Sequence, residues 1–111
     1  MSEIPRMICS PALAEYMRQK KKNNLVVEVA SSNTSDFEVT ELYLRLASDA
    51  HAQYLKEKKR YRGRPLSPEN EPGTVWEVLL PPYHLHIEET VRFDCRKYWI
   101  FHRLTMEGIR L

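Results

Sequence analysis

Apolar residues recur at helical spacing near the start of the chain. In the segment ICSPALAEYMRQKKKNN, positions i, i+3 and i+4 place three apolar side chains on one helical face: Leu13, Tyr16 and Met17. Ser10 suits the N-cap of a helix, and Pro11 suits the first helical position, where its missing N–H costs nothing. Lysines end the segment, where the negative end of the helix dipole favours cations. The pattern predicts a helix over residues 11–22.

Alternating and continuous apolar runs predict strands over much of the remaining chain. These runs are LVVEVA at 25–30, FEVTELYLRL at 37–46, TVWEVLL at 74–80, YHLHIEE at 83–89 and TVRFD at 90–94. The segment KYWIFHRL at 97–104 is apolar on both faces, which is typical of a central strand. We therefore expect most of the chain to form β-structure.

Polar and proline-rich segments separate the predicted strands. SSNTSD at 31–36 and RGRPLSPENEPG at 62–73 predict loops, and the three prolines and two glycines of the second segment predict a mobile loop. SDAHAQYLKEKKRY at 48–61 has a helical composition, with Ser48 as a candidate cap, but the apolar face of such a helix is thin. The predicted fold therefore does not depend on a second helix.

Length and composition favour one folded domain over residues 1–111. A chain of 111 residues supports one core but not two. Its 42% hydrophobic and 10% aromatic content is typical of folded rather than disordered proteins. Together with the patterns above, this composition predicts an α+β fold that is mainly β, with one N-terminal helix packed on an antiparallel sheet or sandwich.

Charge and cysteine content limit the possible cellular location and the classes of partner. The formal net charge of +2 is too small to imply a polyanionic partner by itself. The two cysteines, Cys9 and Cys95, form no CxxC motif, and the N-terminus MSEIPRM has no signal-peptide pattern. No apolar run approaches the roughly 20 residues that span a bilayer. We expect a cytoplasmic protein with reduced thiols and no membrane partner.

One candidate metal site comes from the alternation of YHLHIEE. His84 and His86 point to the same face of the predicted strand, where two imidazoles can share a zinc ion. Cys95 could supply a third ligand, and His102 and Glu88 are alternatives. The ordinary interpretation, the polar face of a half-buried strand, is favoured because no further ligand spacing supports a metal. We expect no cofactor, with zinc or an iron–sulfur cluster as the alternative.

Cys95 is also a candidate reactive thiol. Arg92, Arg96 and Lys97 surround it, and cationic neighbours lower a thiol pKa. Asp94 beside it acts in the opposite direction. A small residue packed at the end of a strand is the favoured interpretation.

The basic tract KEKKRYRGR at 56–64 is a candidate nucleic-acid interface. Its cations are Lys56, Lys58, Lys59, Arg60, Arg62 and Arg64. Tyr61 lies among them and could stack on a base while the cations contact phosphates. Against this interpretation, Glu69 and Glu71 follow closely and the whole chain is nearly neutral. A solvated face is favoured, and nucleic acid ranks below a protein partner.

Catalytic motifs are missing from the sequence. GxSxG, Walker A, HExxH and GxGxxG do not occur, and three glycines are too few to build a phosphate cradle. We therefore expect a protein that is not an enzyme.

Both ends of the chain resemble a known family. MICSPALAEYM followed by LVVEV resembles the opening of HesB-type proteins, the A-type iron–sulfur cluster biogenesis family. VRFDCRKYWIFHRLTMEGIRL resembles the ending of the small CC/Se motif (seleno)proteins, which close on a strand pair and a step like Glu107-Gly108-Ile109. The resemblance implies a HesB-like fold.

The cysteines of that family are missing here. The resemblance implies a cysteine or selenocysteine pair just after the first long strand, where this chain has Ser31-Ser32. The tail MEGIRL also has no thiol, whereas A-type proteins carry a late cysteine pair. Hydroxyls are poor ligands for iron–sulfur clusters, which thiolates hold. Either this loop is a degenerate family site, or it is a plain Ser/Asn turn.

Three functional hypotheses from different classes follow. The leading one is a non-enzymatic accessory or interaction protein on a HesB-like scaffold that has lost its thiol ligands, with an unidentified protein partner. The second is a metal or iron–sulfur protein that uses Cys95 with His84 and His86, and the third binds nucleic acid through 56–64. Edge strands could also join two copies into a homodimer, because unpaired edges invite partners.

Overall fold

The computed structural model describes residues 5–33 and 38–111, without the side chains of residues 32, 33, 38 and 39. In chain order the elements are β1 (Arg6–Cys9), α1 (Pro11–Gln19), β2 (Asn24–Asn33), β3 (Glu38–Ala47), α2 (Asp49–Lys58), β4 (Arg62–Pro68), β5 (Trp76–Leu80), β6 (His86–Tyr98) and β7 (Phe101–Arg110). In this part of the chain, no helix has the length and apolarity that crossing a membrane requires.

Helix α1 begins as the sequence predicts. The Ser10 hydroxyl accepts a hydrogen bond from the Leu13 N–H at 3.2 Å, and Pro11 occupies the first turn. The helix ends at Gln19, three residues earlier than predicted. Lys21 has a left-handed φ of 55°, and the Lys22 N–H bonds back to the Met17 carbonyl at 3.0 Å. This left-handed closure satisfies the last carbonyls and stops the helix.

The strands form one mixed sheet in the order β3-β2-β5-β4-β1-β6-β7. β1 is parallel to both of its neighbours, β4 and β6, and β2 is parallel to β5. The remaining neighbours are antiparallel. The two outermost strands, β3 and β7, also contact each other, so the sheet curls into a nearly closed, barrel-like form.

The main core fills the inner face of this curled sheet. Its fully buried side chains include Phe93, Leu66, Leu25 and Val78, and α1 adds Leu13 and Met17. A second, smaller cluster lies on the other face, where α2 covers β2 and β5. Its members are Val26, Ala47, Ala52, Leu55 and Leu79. Both helices are therefore held by burial of apolar area.

The predicted fold class was wrong in two respects. There are two helices rather than one, because the thin apolar face of α2 still buries Ala52 and Leu55. The sheet is mixed and barrel-like rather than an antiparallel sheet or sandwich of HesB-like type. The four-residue β1 pairs in parallel on both sides, and such a short strand leaves no alternation pattern to recognise.

The predicted loop at 31–36 belongs in part to a strand. β2 continues through Asn33, and Ser31 lies opposite Thr40 of β3 in an antiparallel ladder. Residues 34–36 lie outside the described part of the chain. The polar composition predicted a loop, but partner strand β3 satisfies the backbone here whatever the side chains are.

The predicted mobile loop at 62–73 contains strand β4. Pro65 lies where β5 alone pairs with β4, since β1 joins only at Ser67 and Pro68. A proline is tolerated in a strand where one side of the backbone needs no ladder hydrogen bond. The prediction from composition assigned this segment to a loop because prolines are common in loops.

The predicted strands at 83–89 and 97–104 also differ from the structure. β6 starts at His86, so residues 83–85 belong to the preceding turn rather than to a strand. KYWIFHRL is not a central strand: Trp99 and Ile100 form the exposed turn between β6 and β7. Neither residue is a usual turn former, so the pattern carried no turn signal.

Gly108 lets β7 pass a bulge in β6. The pairing of β6 with β7 shifts between Ile87 and Arg92, and a Cβ at position 108 would clash with the Thr90 carbonyl oxygen. Gly108 also has a φ of 90°, which L side chains rarely adopt. Glycine is therefore required here by both sterics and backbone conformation.

We expect Gly108→Ala to lower the free energy of unfolding by about 1–3 kcal/mol through backbone strain, with the clash adding to it. Urea denaturation followed by circular dichroism measures this change. Gly73→Ala is the matched control, because nothing lies within 4 Å of its added Cβ; we expect it to change stability by less than about 0.5 kcal/mol. Equal stability of the two variants would contradict this role for Gly108.

Candidate functional site

A groove of about 630 Å³ lies where β4 begins and β5 ends. We call it the arginine groove. It is lined by Arg60, Arg62, Arg64, Leu80, Pro81, Pro82, Tyr83, His84, Leu85 and Ile87. These residues come from two stretches of chain: 60–64, which leads from α2 into β4, and 80–87, which leads from the end of β5 to the start of β6.

Strand alternation places two of the arginines in the groove. Arg62 and Arg64 lie directly opposite Leu80 and Val78 of β5, so all four side chains share the inner face of the sheet. Leu66 continues the same face and is fully buried in the core. The arginines thus extend the core face past its apolar end, where it opens to solvent.

The turn after β5 forms the opposite wall. Pro81 and Pro82 end the strand, since proline cannot donate to the ladder. The Tyr83 N–H donates to the Pro81 carbonyl at 2.8 Å, which closes a tight turn. Tyr83 is left 59% exposed, and its ring borders the groove beside His84. The double proline therefore determines where this ring and imidazole stand.

The third arginine enters from the end of α2. Arg60 has a left-handed φ of 60°, directly after the cap residue Lys59. The Tyr61 N–H returns to the Leu55 carbonyl at 3.2 Å, and the Tyr61 ring packs against the outer cluster. This closure turns the chain into β4 and leaves Arg60 on the groove side.

The arginine groove is positively charged and unneutralised. In the described part of the chain, no carboxylate lines it, and none of its three arginines forms an ion pair. The nearest acid on β5, Glu77, points to the other face, where it binds Lys56 at 2.9 Å. Guanidinium groups present planar pairs of N–H donors that match carboxylate and phosphate oxygens. The groove can therefore bind an anion.

No protein-family model, curated protein or solved structure matches this chain. The HesB-like resemblance therefore stays a prediction of the sequence, and nothing transfers to this chain from a relative. Function has to be argued from the residues of the site.

The three predicted metal ligands are not brought together. The rings of His84 and His86 lie 5.7 Å apart, close enough to be neighbours. Cys95 lies further along β6: its partner on β7 is six residues from the partner of His86, a separation of about 20 Å at ~3.3 Å per residue. Among the described residues, no group of three or more His, Cys, Asp or Glu side chains could hold a metal ion. Two imidazoles fall short of the three or four protein ligands of a zinc site.

The two cysteines are buried thiols. Burial raises the pKa of the Cys9 thiol from 9.0 to about 12, and Glu69 adds to the rise. Burial also raises the pKa of Cys95, with the Asp94 carboxylate acting in the same direction. The flanking cations named in the sequence do not reverse this shift. Neither thiol is poised to be a thiolate nucleophile or metal ligand near neutral pH.

The structure divides the predicted basic tract into two parts. Lys56 is engaged by Glu77 on the outer face, and Lys58 and Lys59 are exposed at the end of α2. Only the three arginines line the groove. Arg62 and Arg64 line the groove because they lie in strand β4, where alternation directs both side chains to the inner face of the sheet.

The structure places Ser31 of the proposed degenerate family site in strand β2 rather than in a loop. Ser31 lies in β2 opposite Thr40 and is exposed, and the side chain of Ser32 lies outside the described part of the structure. Sequence reasoning also missed that Tyr83 and His84 stand beside the arginines. The signal for this was Pro81-Pro82, which turns the chain back toward β4.

We expect neither cysteine to react readily with a thiol reagent in the folded protein at pH 8, because both are buried and their pKa values are raised. Absorbance from Ellman's reagent would then appear only as urea unfolds the chain, and two thiols would be released. Cys95→Ser should release one thiol on unfolding. A fast native reaction that this substitution abolishes would show that Cys95 is a reactive thiol.

Proposed function

We propose that this protein is a non-enzymatic binding protein that holds single-stranded nucleic acid in the arginine groove. One observation carries the proposal: Arg60, Arg62 and Arg64 converge on a groove bordered by an exposed tyrosine and by no carboxylate of the described residues. The sequence ranked nucleic acid below a protein partner because the chain is nearly neutral. The local charge of the groove supports the reverse order.

The arginines supply the affinity for phosphate. Each guanidinium can donate two parallel N–H bonds to phosphate oxygens, and binding releases the counterions condensed on the nucleic acid. The three side chains have no competing acid among the described residues, so contact with phosphate breaks no ion pair seen in the structure. A groove of this kind binds without reading the sequence.

Tyr83 favours a single strand over a duplex. Its ring is 59% exposed at the border of the groove and lies beside the exposed His84. An unpaired base can stack on such a ring, whereas the bases of a duplex are covered by their neighbours. Leu80, Leu85 and Ile87 add apolar surface to the lining of the groove.

The same lining supports binding rather than catalysis. A general acid–base mechanism needs a carboxylate, imidazole or thiol held against a partner that tunes it. His84 borders the groove, but no thiol or carboxylate of the described residues lines it. The expectation that the protein is not an enzyme and the expected cytoplasmic location both stay predictions.

We expect Arg62→Gln/Arg64→Gln to weaken binding of a fluorescent single-stranded RNA or DNA about tenfold, because two phosphate contacts are lost. The slope of log affinity against log salt should also fall by about 1.4, at ~0.7 per contact for single strands. Fluorescence anisotropy across a salt series measures both quantities.

Arg6→Gln is the matched control for this double variant, because Arg6 is exposed on β1 and does not line the groove. Its affinity and salt slope should equal those of the parent after correction for one charge. Flat anisotropy of the parent at low salt would sink the proposal. Equal loss in the Arg6 variant would assign the binding to net charge instead of the groove.

A second prediction separates stacking from charge. Tyr83→Ala should weaken binding by about 1–3 kcal/mol, or roughly 5- to 150-fold, because the base loses its stacking partner. Tyr83→Phe keeps the ring and should bind like the parent. If the phenylalanine variant loses as much affinity as the alanine variant, the tyrosine acts through its hydroxyl and base stacking is excluded.

A further inference from the structure

The turn between β6 and β7 presents four consecutive apolar side chains to solvent. We call Tyr98, Trp99, Ile100 and Phe101 the apolar tip. Trp99 is 91% exposed, Ile100 80% and Phe101 69%. Tyr98 and Phe101 are cross-strand partners, and the other two residues form the turn itself. Burial within the chain does not account for these residues, and a cluster of exposed apolar side chains marks an interaction surface.

Folding does not require a tryptophan at this turn. Two-residue hairpin turns with a positive φ usually place glycine, asparagine or aspartate there. Trp99 has a φ of 57°, which is uncommon and unfavourable for a bulky residue. The chain therefore keeps a costly residue at the most exposed point of the hairpin.

Cations stand directly behind the tip on both faces of the hairpin. Arg96 lies opposite Arg103, and Lys97 lies opposite His102 on the other face. We call Arg96, Lys97 and Arg103 the cationic collar; all three are exposed. Like charges directly opposite each other destabilise a strand pair. Residues 95–106 contain no aspartate or glutamate, so the hairpin itself offers no neutralising acid.

The base of the hairpin is held by the body of the protein. The Tyr16 ring of α1 stacks on His102 with the ring centroids 4.3 Å apart. Cys95 and its partner Leu104 join the core, so only the last residues of each strand project. The tip is therefore a supported, convex projection rather than a loose loop.

We propose that the apolar tip inserts into the surface of an anionic lipid bilayer while the cationic collar contacts lipid headgroups. The tip reaches about 10 Å beyond Arg96 and Arg103, at three residues of ~3.3 Å each. Peripheral elements bury their apolar side chains about 5–10 Å into this region. Tryptophan and tyrosine are enriched at the membrane interface, and anionic leaflets attract basic segments.

The shape and charge of the hairpin favour lipid over a second copy of the chain. A bilayer surrounds a convex tip on all sides, whereas a protein pocket has to match one particular shape. Two tips meeting each other would bring their cationic collars together and repel. Attachment to a surface needs no membrane-spanning helix, so the proposal is compatible with the finding that no described helix could cross a membrane.

Vesicle co-sedimentation of the full chain tests the proposal. The probes are vesicles of neutral phosphatidylcholine alone and vesicles that also contain about 30% anionic phosphatidylserine, each at low and high salt. At low salt we expect binding to the anionic vesicles, with an affinity at least tenfold higher than for the neutral vesicles. Binding to neither vesicle at low salt, or equal binding to both, would overturn the proposal.

Two variants separate the tip from the collar. Trp99→Gly removes the largest tip side chain and relaxes the positive φ, so its melting temperature should stay equal or rise while anionic-vesicle binding falls at least tenfold. Arg96→Gln/Arg103→Gln keeps the tip and should lose most of the preference for anionic lipid. Parent-like vesicle binding by the glycine variant would overturn the role of the tip.

Two further measurements distinguish the tip from the arginine groove and from self-association. Arg62→Gln/Arg64→Gln should bind vesicles like the parent; loss of vesicle binding there would assign it to the arginine groove and overturn the proposal. In sedimentation velocity, the tip should not mediate self-association: the parent should form no dimer that is lost in Trp99→Gly. Such a dimer would identify a second copy as the occupant of the tip. Nucleic-acid affinity is measured in parallel, so failure of either proposal leaves the other testable.

Discussion

The parallel pairing of β1 with both β4 and β6 is the constraint on which this structure depends. These four residues join two halves of the sheet that otherwise share no strand pairing: β3-β2-β5-β4 on one side and β6-β7 on the other. The Ser10 N–H continues the link by donating to the Phe93 carbonyl at 2.9 Å, and the Ser10 hydroxyl donates to Asp94 at 2.6 Å. That hydrogen bond is the main cause of the lowered pKa of Asp94.

Both proposed surfaces follow from this junction. The arginine groove takes its arginines from the α2–β4 side and Ile87 from β6, and β1 pairs with both of these strands. The apolar tip lies at the other end of β6, about 30 Å away, because the partners of His86 and Tyr98 on β7 are nine residues apart at ~3.3 Å per residue. Strand β6 thus separates two cationic surfaces, the arginine groove and the cationic collar of the apolar tip.

Local sequence signals predicted the elements that are stabilised locally. Ser10, Pro11 and the stripe of Leu13 and Met17 determine α1 through capping and burial, so its start was predictable. Patterning also predicted strands at 37–46 and 74–80, and the structure has β3 and β5 there. It missed β4, whose prolines are tolerated because pairing is incomplete on one side, and it missed the turn at Trp99, which lacks a turn-forming residue. In both places tertiary contacts override local preference.

For the candidate sites too, the sequence showed the residues but not their arrangement in space. The basic tract, the histidine pair and Cys95 were visible in the sequence, yet their separation in space was not. Cys95 lies far from His86 because both belong to one extended strand, and Arg62 approaches His84 because two distant turns meet at one end of the sheet. Spacing along a chain measures distance only within one element.

The sequence by itself determined a mainly β chain, the capped first helix, the missing catalytic motifs and the positions of its charges. These properties depend on residue type and on neighbours a few positions away. Tertiary structure alone decided that the sheet is mixed and barrel-like, that three arginines share one groove and that the apolar segment 98–101 is exposed. Those outcomes depend on which strands pair, and a parallel partner many residues away leaves no mark on local periodicity.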